Sequence, residues 1–236
     1  MALFWDHGSG CFGFGSDEIF AGDSLTLDEM HQAFSQVYSL SEEEPPFELV
    51  GFDACLMASM EVGSAFSDIA KYMVASEEVE PGTGWDYHEW VSELAEHPEK
   101  NGAQIGKAIC DSFIRTSVTA GTIENGYTSE VLTGSVMDLS KIRDVYTAYE
   151  ALARETFLES NENVRVLSLL GRAANRSVKY AQSLYKIYNT IDLGAFMANI
   201  RDELPELDTS GVSSAIDSCV LYTRGTAYAQ NSEGIS

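Results

Sequence analysis

Three short apolar runs alternate with segments of helical period through the first 116 residues. The runs are "ALFWD" (2–6), "FELVGFDA" (47–54) and "KYMVAS" (71–76). Each is apolar almost throughout, the signature of a strand covered on both faces. The spacing between them predicts a helix over 27–38, with Leu27, Met30, Phe34, Val37 and Tyr38 on one face, and a second over 57–70. Thr26 and Glu29 have the spacing of a reciprocal capping box. Further helices are expected at 85–94 and 103–116, whereas the Gly-, Ser- and Asp-rich stretch 8–25 reads as loop. This order specifies a layered α/β domain with a mostly parallel sheet and helices on its faces.

The second half changes style. Segment 129–138 alternates like a half-exposed strand, and 139–157 is strongly amphipathic, with Ile142, Val145, Tyr146, Tyr149 and Leu152 in register. Helices are expected at 164–174, 193–204 and 212–220, and a strand and turn at 220–230. No repeat or linker interrupts the chain. We therefore divide it into 1–118, the α/β core, and 119–236, a helix-rich continuation of the same domain. The chain begins on one apolar run and stops at "NSEGIS" as another begins. Both ends are expected to be interior strands of a larger sheet, exposed by truncation.

With 14 basic against 37 acidic residues the formal net charge is -23. Such a surface repels nucleic acid and anionic membranes. It serves solubility or a preference for cationic substrates, and composition does not choose between them. No apolar run reaches the roughly 20 residues that cross a bilayer, and no signal-peptide pattern opens the chain. Oligomeric state has no signal. The four cysteines, Cys11, Cys55, Cys110 and Cys219, are far apart and suggest neither zinc nor a disulfide framework.

The first two strands deliver the chemistry. One ends at His7-Gly8 and the other at Asp53-Ala54-Cys55. The C-terminal rim of an open α/β sheet is where catalytic groups gather, so His7 and Cys55 face each other if the strands are neighbours. A helix starting near Met57 and the imidazole are both expected to lower the Cys55 thiol pKa. His7 then serves as general acid and base. Gly8 and Cys55 offer backbone N–H groups to an oxyanion. Asp53, two residues before Cys55, projects to the same side of the strand and needs a cationic partner, which a substrate Arg or Lys supplies. Asp86 is a second candidate acid for that pocket, while Glu77 and Glu78 read as rim charges. His31, His88 and His97 are read as surface or helix-face histidines.

The stretches "LFWDHGSG", "ELVGFDACLMASMEV" and "YMVASEEVEPGTGWDY" resemble the clostripain-like cysteine peptidases, of the clan that also holds caspases, legumains and gingipains. "SVMDLSKI" and "NSEGIS" extend the resemblance over nearly the whole chain. It implies a caspase-like three-layer α/β sandwich and hydrolysis of peptide bonds after Arg or Lys. His7 and Cys55 would be the catalytic dyad, and Asp53 the main determinant of basic specificity. Cofactors are not required for the chemistry. Calcium is possible by resemblance, with no ligands assigned. Protein or peptide substrates and bacterial secretion follow in the same way. Relatives carry a strand and helix upstream of the His strand, and are commonly matured by self-cleavage after a basic residue between the His and the Cys. This chain has no Lys or Arg from Gly8 to Ala54. A lipase-like hydrolase would need a G-x-S-x-G elbow, which is missing. The remaining alternative is a catalytically inactive fragment or a caspase-like binding module.

Overall fold

A computed structural model describes residues 1–120, 131–181, 190–226, 229 and 232–236. The start of the expected strand 129–138 and parts of the 220–230 turn and of "NSEGIS" lie outside the described residues. The strands are β1 (Ala2–Trp5), β2 (Phe14–Asp17), β3 (Asp23–Leu25), β4 (Phe47–Asp53), β5 (Ala70–Ala75), β6 (Thr133–Asp138) and β7 (Val220–Gly225). The helices are α1 (Leu27–Ser35), α2 (Met60–Ala65), α3 (Tyr87–Glu96), α4 (Gly102–Ala120), α5 (Ile142–Glu162), α6 (Arg165–Arg176), α7 (Leu193–Glu203) and α8 (Ser210–Cys219).

The central sheet has the order β1-β4-β5-β6-β7. Strands β1, β4 and β5 pair in parallel, as the strand–helix alternation predicts. The second half joins differently. β6 is antiparallel to β5, and β7 antiparallel to β6, so the sheet is mixed although four of its five strands share one direction. The reason is that β6 and β7 extend the edge next to β5 rather than continuing the βαβ series.

Alternate residues of the central strands feed opposite layers. Val50, Phe52 and Met73 pack with residues of α1, α2, α5, α7 and α8. Leu49 and Val74 pack on the other face with Trp90 of α3 and Ile105, Ile109 and Phe113 of α4. The result is the expected three-layer sandwich. Phe4 of β1 stacks on Phe52 of β4 with centroids 5.1 Å apart, and Phe52 meets Phe66 edge-on at 5.1 Å. Each such pair adds about 0.5–1.5 kcal/mol beyond its burial, and together they bind β1 to the sheet directly beneath the site.

Three local expectations change. The capping box forms: Glu29 N–H donates to the Thr26 hydroxyl (3.2 Å) and Thr26 N–H to the Glu29 carboxylate (2.9 Å). α1 nevertheless ends at Ser35, short of position 38. Stretch 8–25 is not all loop. It contains the β2–β3 hairpin, whose turn places Ala21 and Gly22 in the left-handed region (φ 62° and 78°). The helix expected over 57–70 shrinks to α2, because Ser59 caps it by accepting from Val62 N–H (3.3 Å). The backbone just before it is already committed. Ser236 N–H donates to the Ala58 carbonyl (3.0 Å), and Met60 N–H donates to the Ser236 carbonyl (2.9 Å). No helix among the described residues is long and apolar enough to cross a membrane.

Candidate active site

Strand register carries the two motifs to one rim. Trp5 of β1 stands opposite Asp53 of β4, so His7 and Cys55 each lie two residues beyond the same pair. β1 stops at Trp5 because the chain turns there: the His7 N–H donates to the Asp6 side chain (2.5 Å). The hairpin then clasps the turn. Gly15 N–H donates to the His7 carbonyl (2.7 Å), and Gly8 bridges Phe14.

Gly8 brings the two motifs together. A Cβ added there would lie 2.1 Å from the Cys55 carbonyl oxygen and 2.9 Å from Met57 Cγ, so only glycine lets the loop sit this close. Its backbone N–H faces the Cys55 sulfur. The His7 imidazole stays exposed and makes no hydrogen bond or ion pair to another described residue. Gly8→Ala is expected to push the His7 turn off Cys55. A displacement near 1 Å costs about 100-fold in rate, so peptide hydrolysis should fall by about that factor. Melting temperature should fall too, since the new methyl would meet a backbone carbonyl and not the movable end of a side chain. Unchanged hydrolysis would show that the turn is not held by this contact.

Cys55 sits in a sharp bend. Its sulfur accepts from Glu80 N–H (3.3 Å) and its thiol reaches the Glu80 carbonyl (3.8 Å). Leu56 N–H donates to the Glu78 carbonyl (3.3 Å). Leu56 adopts φ 64°, a conformation that costs a non-glycine residue about 1–2 kcal/mol, and its buried side chain packs with Val79, Tyr180 and Ala181. The expected helix start is not beside the thiol: α2 begins five residues later, at Met60, and is six residues long. The thiol pKa is accordingly not lowered. Burial pushes it up, the Glu78 carboxylate adds to that, and the N–H groups of Glu80, Cys55 and Gly8 only partly offset it. In this resting geometry the thiol is protonated at neutral pH.

Asp53, at the end of β4, is only 3% exposed. It accepts from Trp85 N–H (3.0 Å), and the Tyr87 hydroxyl and the Glu80 carboxyl also bond to it. Desolvation outweighs these bonds and raises its pKa. The turn after Pro81 closes over it. Gly84, at φ 63°, passes so near that a Cβ would lie 2.7 Å from the Asp53 carboxylate. Asp86 is placed otherwise. It is the N-cap of α3, accepting from Glu89 N–H (3.1 Å) and from the Thr116 hydroxyl of α4 (3.1 Å), so both its oxygens are engaged away from Asp53.

Glu77 is not a rim charge. It is fully buried, and its Oε2 accepts from the Tyr180 hydroxyl (3.3 Å), Gly234 N–H (3.1 Å) and the Ser232 hydroxyl. Burial and the nearby Asp192 carboxylate hold its carboxyl well above the usual range. Glu78 accepts from Ala181 N–H (2.9 Å), and the Thr133 hydroxyl accepts from the N–H groups of Glu77 and Glu78 (both 3.0 Å). The second half of the chain thus props the loop that brackets Cys55. Glu80 belongs to the site and was not anticipated. Its only sequence signal is a carboxyl in the loop after β5, where Glu77 and Glu78 carry the same signal.

His31 bonds Asp68 (3.1 Å), and His97 pairs with Glu99 (3.3 Å). All four cysteines are free: Cys110 and Cys219 are buried, while Cys11 is exposed. Among the described residues no three His, Cys, Asp or Glu side chains are grouped to hold a metal ion, so no calcium ligand is assigned.

The fold is a three-layer α/β sandwich with a bent cysteine on the strand rim, and the class, the cysteine-type peptidases, which are hydrolases, follows from the family match. The model of the clostripain family matches residues 1–235, and the chain belongs to that family. Among solved structures it is similar to a Bacteroides fragilis cysteine protease (TM-score 0.61, 18% identity, covering 94% of this chain and 86% of that one). It is also similar to a secreted C11 cysteine protease from Bacteroides thetaiotaomicron in complex with an irreversible peptide inhibitor (TM-score 0.63, 20% identity, 95% of this chain). A third is an inactive zymogen C11 protease from Parabacteroides distasonis (TM-score 0.61, 20% identity, 95% of this chain). The chain spans 57% and 55% of the lengths of the latter two. No curated protein matches the chain by sequence.

Proposed function

We propose that this chain hydrolyses peptide bonds after Arg or Lys, with Cys55 as nucleophile and His7 as general acid and base. The observation that carries the reading is the contact of Gly8 with Cys55, which brings the His turn onto the cysteine bend at the end of paired strands. His7 takes the thiol proton as the sulfur attacks the carbonyl carbon, and returns it to the leaving amine. A thiol held protonated by burial needs such a base at the moment of attack. In this reading the N–H groups of Gly8 and Cys55 receive the oxyanion. Water then hydrolyses the thioester, with His7 as base.

Asp53 supplies the charge for a basic side chain. It is the carboxylate nearest the nucleophile along the strand, and no described Lys or Arg pairs with it. Entry of a substrate side chain requires the Gly82–Gly84 turn to move aside; Gly82 and Thr83 are exposed. Asp86, committed to capping α3, takes no part. Secretion by a bacterium is part of the same reading, in line with the secreted B. thetaiotaomicron relative.

The test is an electrophilic peptide probe ending in Arg or Lys. It is expected to label the protein at Cys55, and labelling elsewhere would overturn the assignment. Specificity for basic residues also forbids one event. With no Lys or Arg between Gly8 and Ala54, prolonged incubation should give no self-made cut in that segment. Mass mapping of the fragments checks this, and a cut there would contradict the specificity.

A further inference from the structure

We infer that Glu80 is a second specificity-determining residue, forming with Asp53 a two-carboxyl pocket that holds one proton when empty and releases it to solvent when a cationic side chain binds. This rests on the reading of Asp53 as the partner of a substrate Arg or Lys.

The geometry joins Glu80 to both halves of the site. Its backbone N–H and carbonyl bracket the Cys55 sulfur, at 3.3 and 3.8 Å. Its side chain turns to Asp53 and bonds it. The Trp85 indole donates to the same Glu80 carboxyl, while the Trp85 backbone N–H donates to Asp53. Glu80 Oε2 is sealed from solvent and has no donor. Two carboxyls in contact, one of them carrying a buried oxygen without a donor, are satisfied by a shared proton. Burial and Asp53 both push the Glu80 carboxyl well above the usual range, consistent with its being the protonated member.

A guanidinium or ammonium entering beside Asp53 brings several N–H donors and a positive charge. It replaces the shared proton as donor to both oxygens, and the proton leaves to buffer. The other titratable groups facing the pair are Cys55, Tyr87 and Cys110, with Glu78 acting on Cys55. Burial raises Cys55, Tyr87 and Cys110, so these stay neutral over the range in question.

Matched peptides carrying arginine or its neutral isostere citrulline before the scissile bond isolate the effect, because titration of Cys55 and His7 cancels in their kcat/KM ratio. The ratio should rise about tenfold per pH unit below the pair's titration, then level off. In Glu80→Gln the rise should move to the lower pH at which Asp53 titrates alone, and Glu80→Asp should restore the wild-type profile. Calorimetry on Cys55→Ala with an arginine-ending product peptide, run in two buffers of different ionisation enthalpy, should count about one proton released. Cys55→Ala/Glu80→Gln should release none. Identical ratio profiles in wild type and Glu80→Gln, or equal proton counts, would overturn the role of Glu80 while leaving basic specificity intact. If wild type handles arginine and citrulline peptides alike at every pH, the reading of Asp53 fails instead. Circular dichroism and probe labelling of Glu80→Gln separate a folding defect from either result, and Glu80→Asp then carries the comparison.

Discussion

Cys55→Ala is expected to abolish peptide hydrolysis, lowering kcat by about 10⁴-fold or more. It should leave the fold in place. The side chain is partly buried, and its hydrogen bonds are single contacts to the Glu80 backbone. The substitution removes one small, partly buried sulfur and no charge, so the melting temperature should change by only a few degrees. Cys11→Ala is the matching control. Cys11 is exposed on the turn Gly10–Phe12 and lies outside the cysteine bend. Equal labelling of wild type and Cys55→Ala by an Arg- or Lys-ending electrophilic probe would place the nucleophile elsewhere.

Asp53→Asn is expected to lower kcat/KM for arginine and lysine peptides by roughly 30- to 1000-fold. That is the fold-change of about 2–4 kcal/mol for a desolvated charge left without its partner. Asparagine keeps an acceptor for the Trp85 N–H that Asp53 now binds at 3.0 Å, so the loop and the end of β4 should hold their positions. Peptides with neutral residues at the same place should change by less than about threefold. The contrast between substrates is the readout: a parallel fall for basic and neutral peptides would make Asp53 a structural residue of the bend and not a charge for substrate.

Much of the site was legible because it depends on local order. Two motifs at the C-terminal ends of two apolar runs face each other if the runs are parallel neighbours, and the run–helix–run spacing fits that arrangement without requiring it. The register Trp5 to Asp53 then brings His7 and Cys55 level. Failures came where distant segments decide. Glu77 reads as a rim charge from "EEVEP", yet Tyr180, Ser232 and Gly234 bury it, and those residues lie more than 100 positions away. Asp86 reads as a pocket acid until α4 brings Thr116 against it. The helix expected at 57–70 is cut short by Ser236 hydrogen bonding across Ala58 and Met60. No periodicity records such contacts.

From the sequence alone came the layered α/β class, the capped first helix, the pairing of a His-Gly turn with a Cys bend, and the family resemblance. Residue type and short-range spacing are enough for each of these. Only the tertiary structure decided the antiparallel edge, the upward shift of the Cys55 thiol pKa and the partnership of Glu80 with Asp53. Those depend on how much water is removed from each group and on what stands against it, and both are set by chain segments far apart in sequence.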